Sequence, residues 1–396
     1  MRVALGLLSA LFAMPNLAFC EALSSAEDKT PLALLQEAPD VDVRSTLTLG
    51  DTQNYTPTLD PAPGLSGSYE LDSYGNRYTG EYRPGLTLNY GGLLGAGDQL
   101  NLRSLGSNED GHYHRFAYHL GLGPRETRVG ILLADMSYSV GKELEVLDTH
   151  GTIRTSSAFM VQPLIRSSEF NLLARVQYDK KRMNDDIDLI ALRSQQRSRV
   201  LTYSLSGDSR DGLLGGGGNG FSLSWSEGRS ENDGVPLTLN GYTGSGRFRI
   251  ARTSLMRLQH LSERIDLFAR AQGQWSHASV DDSEKLYLGG AYGVRAYPAN
   301  EAPGDSGWLA NLELRYALTQ AWQIATFIDH GESRLSEPNW LQEQTDQKRS
   351  AAGVVARWAP QNWHFSLISA WKLGNIAPQS DVDRTPRVWG EVVRYF

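Results

Sequence analysis

The 396 residues carry 38 lysines and arginines against 45 aspartates and glutamates, a formal charge of −7. That balance leaves no basic footprint for nucleic acid and no block of like charge that would hold a tail extended. Beyond the first segment no apolar run reaches eighteen residues, which excludes a helical membrane protein, and a single cysteine excludes a disulfide framework. The mean hydropathy of −0.38 suits a soluble protein, but also a transmembrane barrel, whose strands hide only half their residues in lipid.

Residues 1–22 predict a secretory signal peptide. Arg2 supplies the positive start, Val3 to Phe12 the short apolar run, and Ala18-Phe19-Cys20 or Cys20-Glu21-Ala22 the small-residue cleavage site. Leu17-Ala18-Phe19-Cys20 has the outline of a lipoprotein box, but Phe19 is too large for the usual small residue. Cleavage after Cys20 leaves a mature chain with no thiol, consistent with an oxidising periplasm. Residues 23–64 follow as a linker or remnant.

From Leu65 onward the pattern has period two. Phe221, Leu223 and Trp225 alternate with serines; Ile265, Leu267, Ala269, Ala271, Gly273 and Trp275 alternate with Asp266, Phe268, Arg270, Gln272 and Gln274. Trp308, Ala310, Leu312, Leu314 and Tyr316 fall on one face, with Leu309, Asn311, Glu313 and Arg315 on the other. Ala352, Val354, Ala356 and Trp358 share a face, as do Trp363, Phe365, Leu367 and Trp371. Turns are expected at Gly141-Lys142, Asn184-Asp185-Asp186, Gly207-Asp208, Gly215 to Gly218 and Asn232-Asp233-Gly234. Aromatics near strand ends fit interfacial girdles. At roughly 20 residues per strand and connection, residues 65–396 accommodate about sixteen strands. The expected fold is all-β, a transmembrane antiparallel β-barrel in the outer membrane; period alone leaves a soluble solenoid or sandwich open.

The loop 288–307 before the Trp308 strand holds Gly293-Val294-Arg295-Ala296-Tyr297, which resembles the VRGY or VRGF motif in the lumen loop of TpsB transporters of two-partner secretion. Ala296 departs from the usual glycine. Phe327-Ile328-Asp329-His330-Gly331 resembles the F-x-D-x-G strand motif of the same superfamily. Gly67 to Gly80 looks like the first strand and turn of that family, Asn89 to Leu100 like its next hairpin, and Pro163 to Ser167 with Tyr178 to Lys181 like a later one. The chain ends on Val388-Trp389-Gly390-Glu391-Val392-Val393-Arg394-Tyr395-Phe396, similar to the aromatic-terminated strand by which outer-membrane barrels are recognised for assembly, with Arg394 interrupting it.

The resemblance implies that the loop folds into the lumen, where Arg295 pairs with Asp329, whose alternation with Trp322, Ile324 and Ile328 turns it inward. Gly290, Gly293, Pro298, Pro303, Gly304 and Gly307 are expected to supply the unusual backbone angles such a loop needs. Pro31 to Pro39 followed by Val41 to Thr48 resembles the last helix and strand of a POTRA domain, so residues 23–64 are read as a truncated remnant. The implied function is secretion of an unfolded exoprotein client of the haemolysin or adhesin type. Implied partners are that client, the barrel-assembly machinery, outer-membrane lipid and a periplasmic helper that stands in for the missing domains. The alternative is a passive channel or a barrel that has lost secretion.

No catalytic chemistry is indicated. Gly215 to Gly218 lacks the lysine and hydroxyl of a phosphate loop, and no G-x-S-x-G elbow occurs. His112 and His114 share a strand face without a third ligand at convincing spacing, and Asp185-Asp186-Ile187-Asp188 lacks the glycine and terminal glutamate of a calcium loop. Neither a cofactor nor a metal is implied.

Overall fold

The computed structural model describes residues 63–95, 97–123, 126–234, 245–336 and 346–396. The signal-peptide and remnant readings, at 1–22 and 23–64, lie almost wholly outside the described residues. Sixteen strands are found among the described residues: β1 Gly64–Asp72, β2 Arg83–Gly91, β3 Gln99–Gly106, β4 His112–Leu122, β5 Thr127–Ser139, β6 Thr149–Arg166, β7 Phe170–Ile187 and β8 Leu192–Asp211 form the first half. The second half comprises β9 Gly217–Gly234, β10 Gly246–Ser262, β11 Ile265–Ser276, β12 Ser306–Ala317, β13 Trp322–Arg334, β14 Asp346–Trp358, β15 Trp363–Lys372 and β16 Arg387–Tyr395. Each strand pairs antiparallel with the next, and β1 pairs with β16 to close a barrel without edges.

Alternation sorts the wall into two faces. On β12, Trp308, Leu312, Leu314 and Tyr316 are exposed outward while Leu309, Asn311, Glu313 and Arg315 are buried inside. Trp275, Trp322, Ile324, Val354, Trp363, Leu367 and Trp371 likewise face out. A soluble sandwich or solenoid would bury those aromatics in a core; here they cover the outer surface, as lipid requires. The interior mixes polar side chains with apolar clusters; where the β11–β12 connection packs against the β12–β16 wall, Leu288, Val294 and Tyr297 meet Phe327, Ile368 and Trp389, and a second cluster joins Leu105, Tyr113, Met136, Ile153 and Met183 on β3 to β7.

Closure is short. The β1–β16 ladder runs only from Ser68 opposite Tyr395 to Asp72 opposite Glu391. Phe396 extends it by exchanging backbone hydrogen bonds with Gly67 at 2.9 and 3.0 Å, and its ring lies 5.1 Å from that of Tyr69. Arg394 spreads over Trp363, its guanidinium 5.3 Å from the ring.

Three expected turns are strand instead. Asn184-Asp185-Asp186 belongs to β7, Gly207-Asp208 to β8 and Asn232-Asp233-Gly234 to β9, while Gly217 and Gly218 open β9 rather than completing a turn. The cause is strand length: β6 to β10 run 17 to 20 residues, against the roughly 9 to 11 that cross a bilayer. Beyond the extracellular side of the membrane both faces can be polar, so Asn184-Asp185-Asp186 and Asn232-Asp233-Gly234 carry no turn; Gly207-Asp208 lies near the periplasmic end of β8, where Asp208 points inward and accepts from Asn171 at 3.1 Å.

Candidate functional site: the lumen loop and its clamp

The connection 277–305 leaves the top of β11, enters the barrel and returns to β12, with almost every residue from 280 to 305 buried. At its tip Gly290 adopts φ +106°, open to glycine at no cost. The other five expected positions do not use positive φ; Asn300 (φ 68°) and Ala302 (φ 54°) do. Gly293 is needed for clearance, because a Cβ there would strike the carbonyl oxygens of Leu288 and Gly289.

Arg295 sits at the centre, buried. Its Nε and Nη2 donate to Asp329 Oδ2 and Oδ1 at 2.9 and 2.7 Å, a bidentate fork, and its backbone N–H donates to Oδ2 at 3.1 Å. The Phe327 ring lies under the guanidinium, 3.4 Å from its carbon. Trp389 Nε1 on β16 donates to the Arg295 carbonyl at 2.7 Å. Gly331 completes the strand motif by clearance: a Cβ there would stand 2.9 Å from Leu288 Cδ2 and 3.1 Å from the Trp308 carbonyl oxygen. Val294 is fully buried, its N–H donating to the Leu288 carbonyl at 2.6 Å, and Ala296 is enclosed with room for its methyl. The Tyr297 hydroxyl donates to the Ile376 carbonyl at 3.3 Å.

Sequence reasoning named Arg295 and Asp329 but not the second carboxylate. Glu313 accepts from Arg295 Nη1, from Arg315 Nε at 3.0 Å and from Arg357 Nη2 at 3.2 Å, so one acid is shared by three arginines. Asn311 joins the two strands by donating to Asp329 Oδ1 at 2.8 Å and to the Gly293 carbonyl at 3.0 Å. Both residues fall on the inward face of β12, and that alternation was the available signal; the sharing itself needs β12, β14 and the loop in register.

Two further anchors hold the loop ends. Glu284 pairs with Lys181 of β7 at 2.7 Å and with Arg252 of β10 at 2.7 Å. Burial raises the Glu284 carboxyl, but those two cations together outweigh it and hold it down at about 2. Asp281, which accepts from Ser230 Oγ at 2.8 Å, is pushed up by burial and by Glu284. At the other end Glu301 accepts from Arg349 at 2.6 and 3.0 Å and from the backbone N–H groups of Gln379 and Ser380 at 2.9 and 3.0 Å. The loop is thereby tied to opposite walls and to the β15–β16 connection.

The histidines on β4 face outward and are exposed, with His114 Nδ1 3.1 Å from Ser104 Oγ and His112 beside Ser137. Asp185 accepts from the Tyr138 hydroxyl, and Asp188 groups with Asp148 and His150 at the rim, with ligand atoms within 4.8 Å of one another. Exposed acids commonly gather so without an ion.

The family model described as haemolysin secretion/activation protein ShlB/FhaC/HecB matches residues 58–357. The chain belongs to this family. With its lipid-facing belt and closed sixteen-strand wall it is an outer-membrane protein. The heme/hemopexin transporter protein HuxB of Haemophilus influenzae is 26% identical over 281 residues, covering 69% of this chain and 49% of that protein. This chain thus spans about half the length of the curated relatives it matches. Among solved structures, CdiB from Escherichia coli is similar at TM-score 0.70 and 17% identity, covering 85% of this chain and 63% of that one. BamA from Haemophilus ducreyi is similar at TM-score 0.60 and 12% identity, covering 85% and 71%. These likenesses share the barrel fold.

Proposed function

We propose that this barrel is the transporter of a two-partner secretion pair, passing an unfolded exoprotein of the haemolysin or adhesin type from periplasm to cell surface without enzymatic chemistry. The observation that carries this reading is the clamp: a loop tip held inside a closed barrel by one arginine shared between Asp329 and Glu313. Such a loop blocks passive flow when seated and concentrates its hold in a few charge-assisted bonds that one conformational step can release.

The inner face of β6 to β9 supports a polypeptide as cargo. It presents Thr155, Ser157, Gln177, Gln196, Ser198 and Thr202 beside the charged Asp179, Lys181 and Asp208, a polar lining whose donors and acceptors can exchange partners with an extended backbone. Folding of the client outside then biases the direction. The client, the barrel-assembly machinery engaging the Phe396 strand, and a periplasmic helper that presents the client are the partners this reading calls for.

Quantitative mass spectrometry of culture supernatant and cell surface, from a deletion strain with and without the complementing gene, tests it. One or a few large proteins should disappear and return on complementation. An unchanged secretome with the barrel expressed would replace transport by a passive pore.

A further inference from the structure

The outer wall of β6 to β10 changes character along its height. Above a polar periplasmic rim that includes Asp211, Asn219 and Arg257, the outward residues of β7 to β9 are apolar as far as an aromatic row, Tyr178 on β7, Tyr203 on β8 and Trp225 on β9, all exposed. Two or four residues further up lie outward cations; on β9 Glu227 comes between Trp225 and Arg229 and pairs with Arg249 of β10 at 3.4 Å. Lys180 lies opposite Arg199, Arg199 opposite Arg229 and Arg229 opposite Arg247, four adjacent strands placing four cations side by side in register. A second row puts Arg154 opposite Arg182 and Arg182 opposite Arg197. All seven side chains are exposed.

Like charges directly opposite on neighbouring strands repel and destabilise a sheet, so a whole row of them demands a counter-charge. The wall supplies only part of it. Arg154 pairs with Asp135 at 2.9 Å, Arg229 with Glu231 at 3.1 Å and Arg197 with Asp233 at 3.8 Å. Lys180, Arg182, Arg199 and Arg247 have no ion pair among the described residues. The chain as a whole is acidic, at −7, so this concentration is not a reflection of composition.

Height identifies the missing anion. An aromatic row marks the boundary between hydrocarbon and headgroups. At about 3.3 Å per residue, cations two residues above it stand roughly 7 Å higher, at the level of the lipid headgroups on the extracellular side, where the longer connections lie. We propose that the wall of β7 to β10 is a binding site for the phosphorylated headgroup of an outer-leaflet glycolipid, with Lys180, Arg199, Arg229 and Arg247 gripping its phosphates and Tyr178, Tyr203 and Trp225 packing against its acyl chains. Guanidinium forks fit phosphate oxygens bidentately, and the spacing of strands matches a headgroup carrying more than one phosphate. The bound lipid neutralises the repulsion between strands and fixes the tall wall at a defined depth and tilt. It concerns the outer surface and is independent of what passes through the lumen.

The test uses the full chain in nanodiscs of neutral phosphatidylcholine, titrated with diphosphorylated lipid A and read by native mass spectrometry. Diphosphorylated lipid A should bind saturably, its dephosphorylated form at least about tenfold more weakly, and rising salt should weaken binding. The Arg199→Gln/Arg229→Gln variant should lose about tenfold or more while keeping heat-modifiable migration, and Arg199→Lys/Arg229→Lys should recover part of it. Should the glutamine variant fail to fold, Lys180→Gln/Arg247→Gln, at the two ends of the row, gives the same comparison. Equal binding of the dephosphorylated lipid, or an unaffected glutamine variant in a folded barrel, would overturn the proposal. So would displacement of the lipid by millimolar inorganic phosphate, which would make this a site for a soluble anion.

Discussion

Asp329→Ala removes the acceptor of four hydrogen bonds at once: three from Arg295, at 2.7, 2.9 and 3.1 Å, and one from Asn311 at 2.8 Å. The arginine stays buried, its side chain 5% exposed, with Glu313 as its remaining acid, and Glu313 is already shared with Arg315 and Arg357. Breaking a buried pair by deleting one partner costs up to about 3 to 5 kcal/mol, because three arginines are then left to share the single Glu313 carboxylate. That shifts the ratio of seated to released loop by up to roughly two to four orders of magnitude. In planar bilayers the variant should open far more often than the parent, and in cells export should fall while the heat-modifiable barrel persists. A simple charge exchange should not rescue it, since Arg295→Asp places a second carboxylate beside Glu313; the exchange needs Glu313→Gln as well. Bilayer recordings and export both matching the parent would refute the clamp.

Gly331→Ala inserts a methyl 2.9 Å from Leu288 Cδ2, and overpacking of this kind costs about 1 to 3 kcal/mol, so loop 277–305 should be cleaved faster by added protease while the barrel stays folded. Glu301→Ala frees Arg349 and the N–H groups of Gln379 and Ser380; hydrogen exchange should rise in 373–386 and leave the Arg295 region protected. The anchor at Glu284 should be acid-labile. Its folded value near 2 lies below its ordinary 4.5, so its stabilisation is complete above about pH 4.5 and is lost as pH falls toward 2. Asp281, pushed up, has the opposite sign and offsets part of this by favouring the seated loop once protonated. Exchange protection of 280–286, corrected for intrinsic rates, should hold from pH 7 to 5 and drop below 4; constant protection to pH 2.5 would argue against the ion-pair anchor.

The sequence by itself determined an all-β chain of two-faced strands. Strict alternation in Trp308 to Tyr316 puts the aromatics on one face and Asn311, Glu313 and Arg315 on the other, which a sandwich or a solenoid also allows; that the aromatic face lies outside a closed wall was decided by the tertiary structure. The same period set Asp329 inward, and the motif around Arg295 named the loop that meets it. What alternation could not supply is how far a strand continues once it leaves the membrane. There lipid no longer imposes an apolar face, and Asn184-Asp185-Asp186 reads as a turn although its backbone stays in β7. Nor could it supply contacts that depend on several strands at once. Glu313 becomes a hub because Arg295 from the loop, Arg315 two residues along β12 and Arg357 from β14 converge on its two oxygens. The row Lys180, Arg199, Arg229 and Arg247 exists only through the register of four strands. Facing is a property of one strand and is written locally; registry and depth belong to the closed sheet, and only the tertiary structure decides which charges meet.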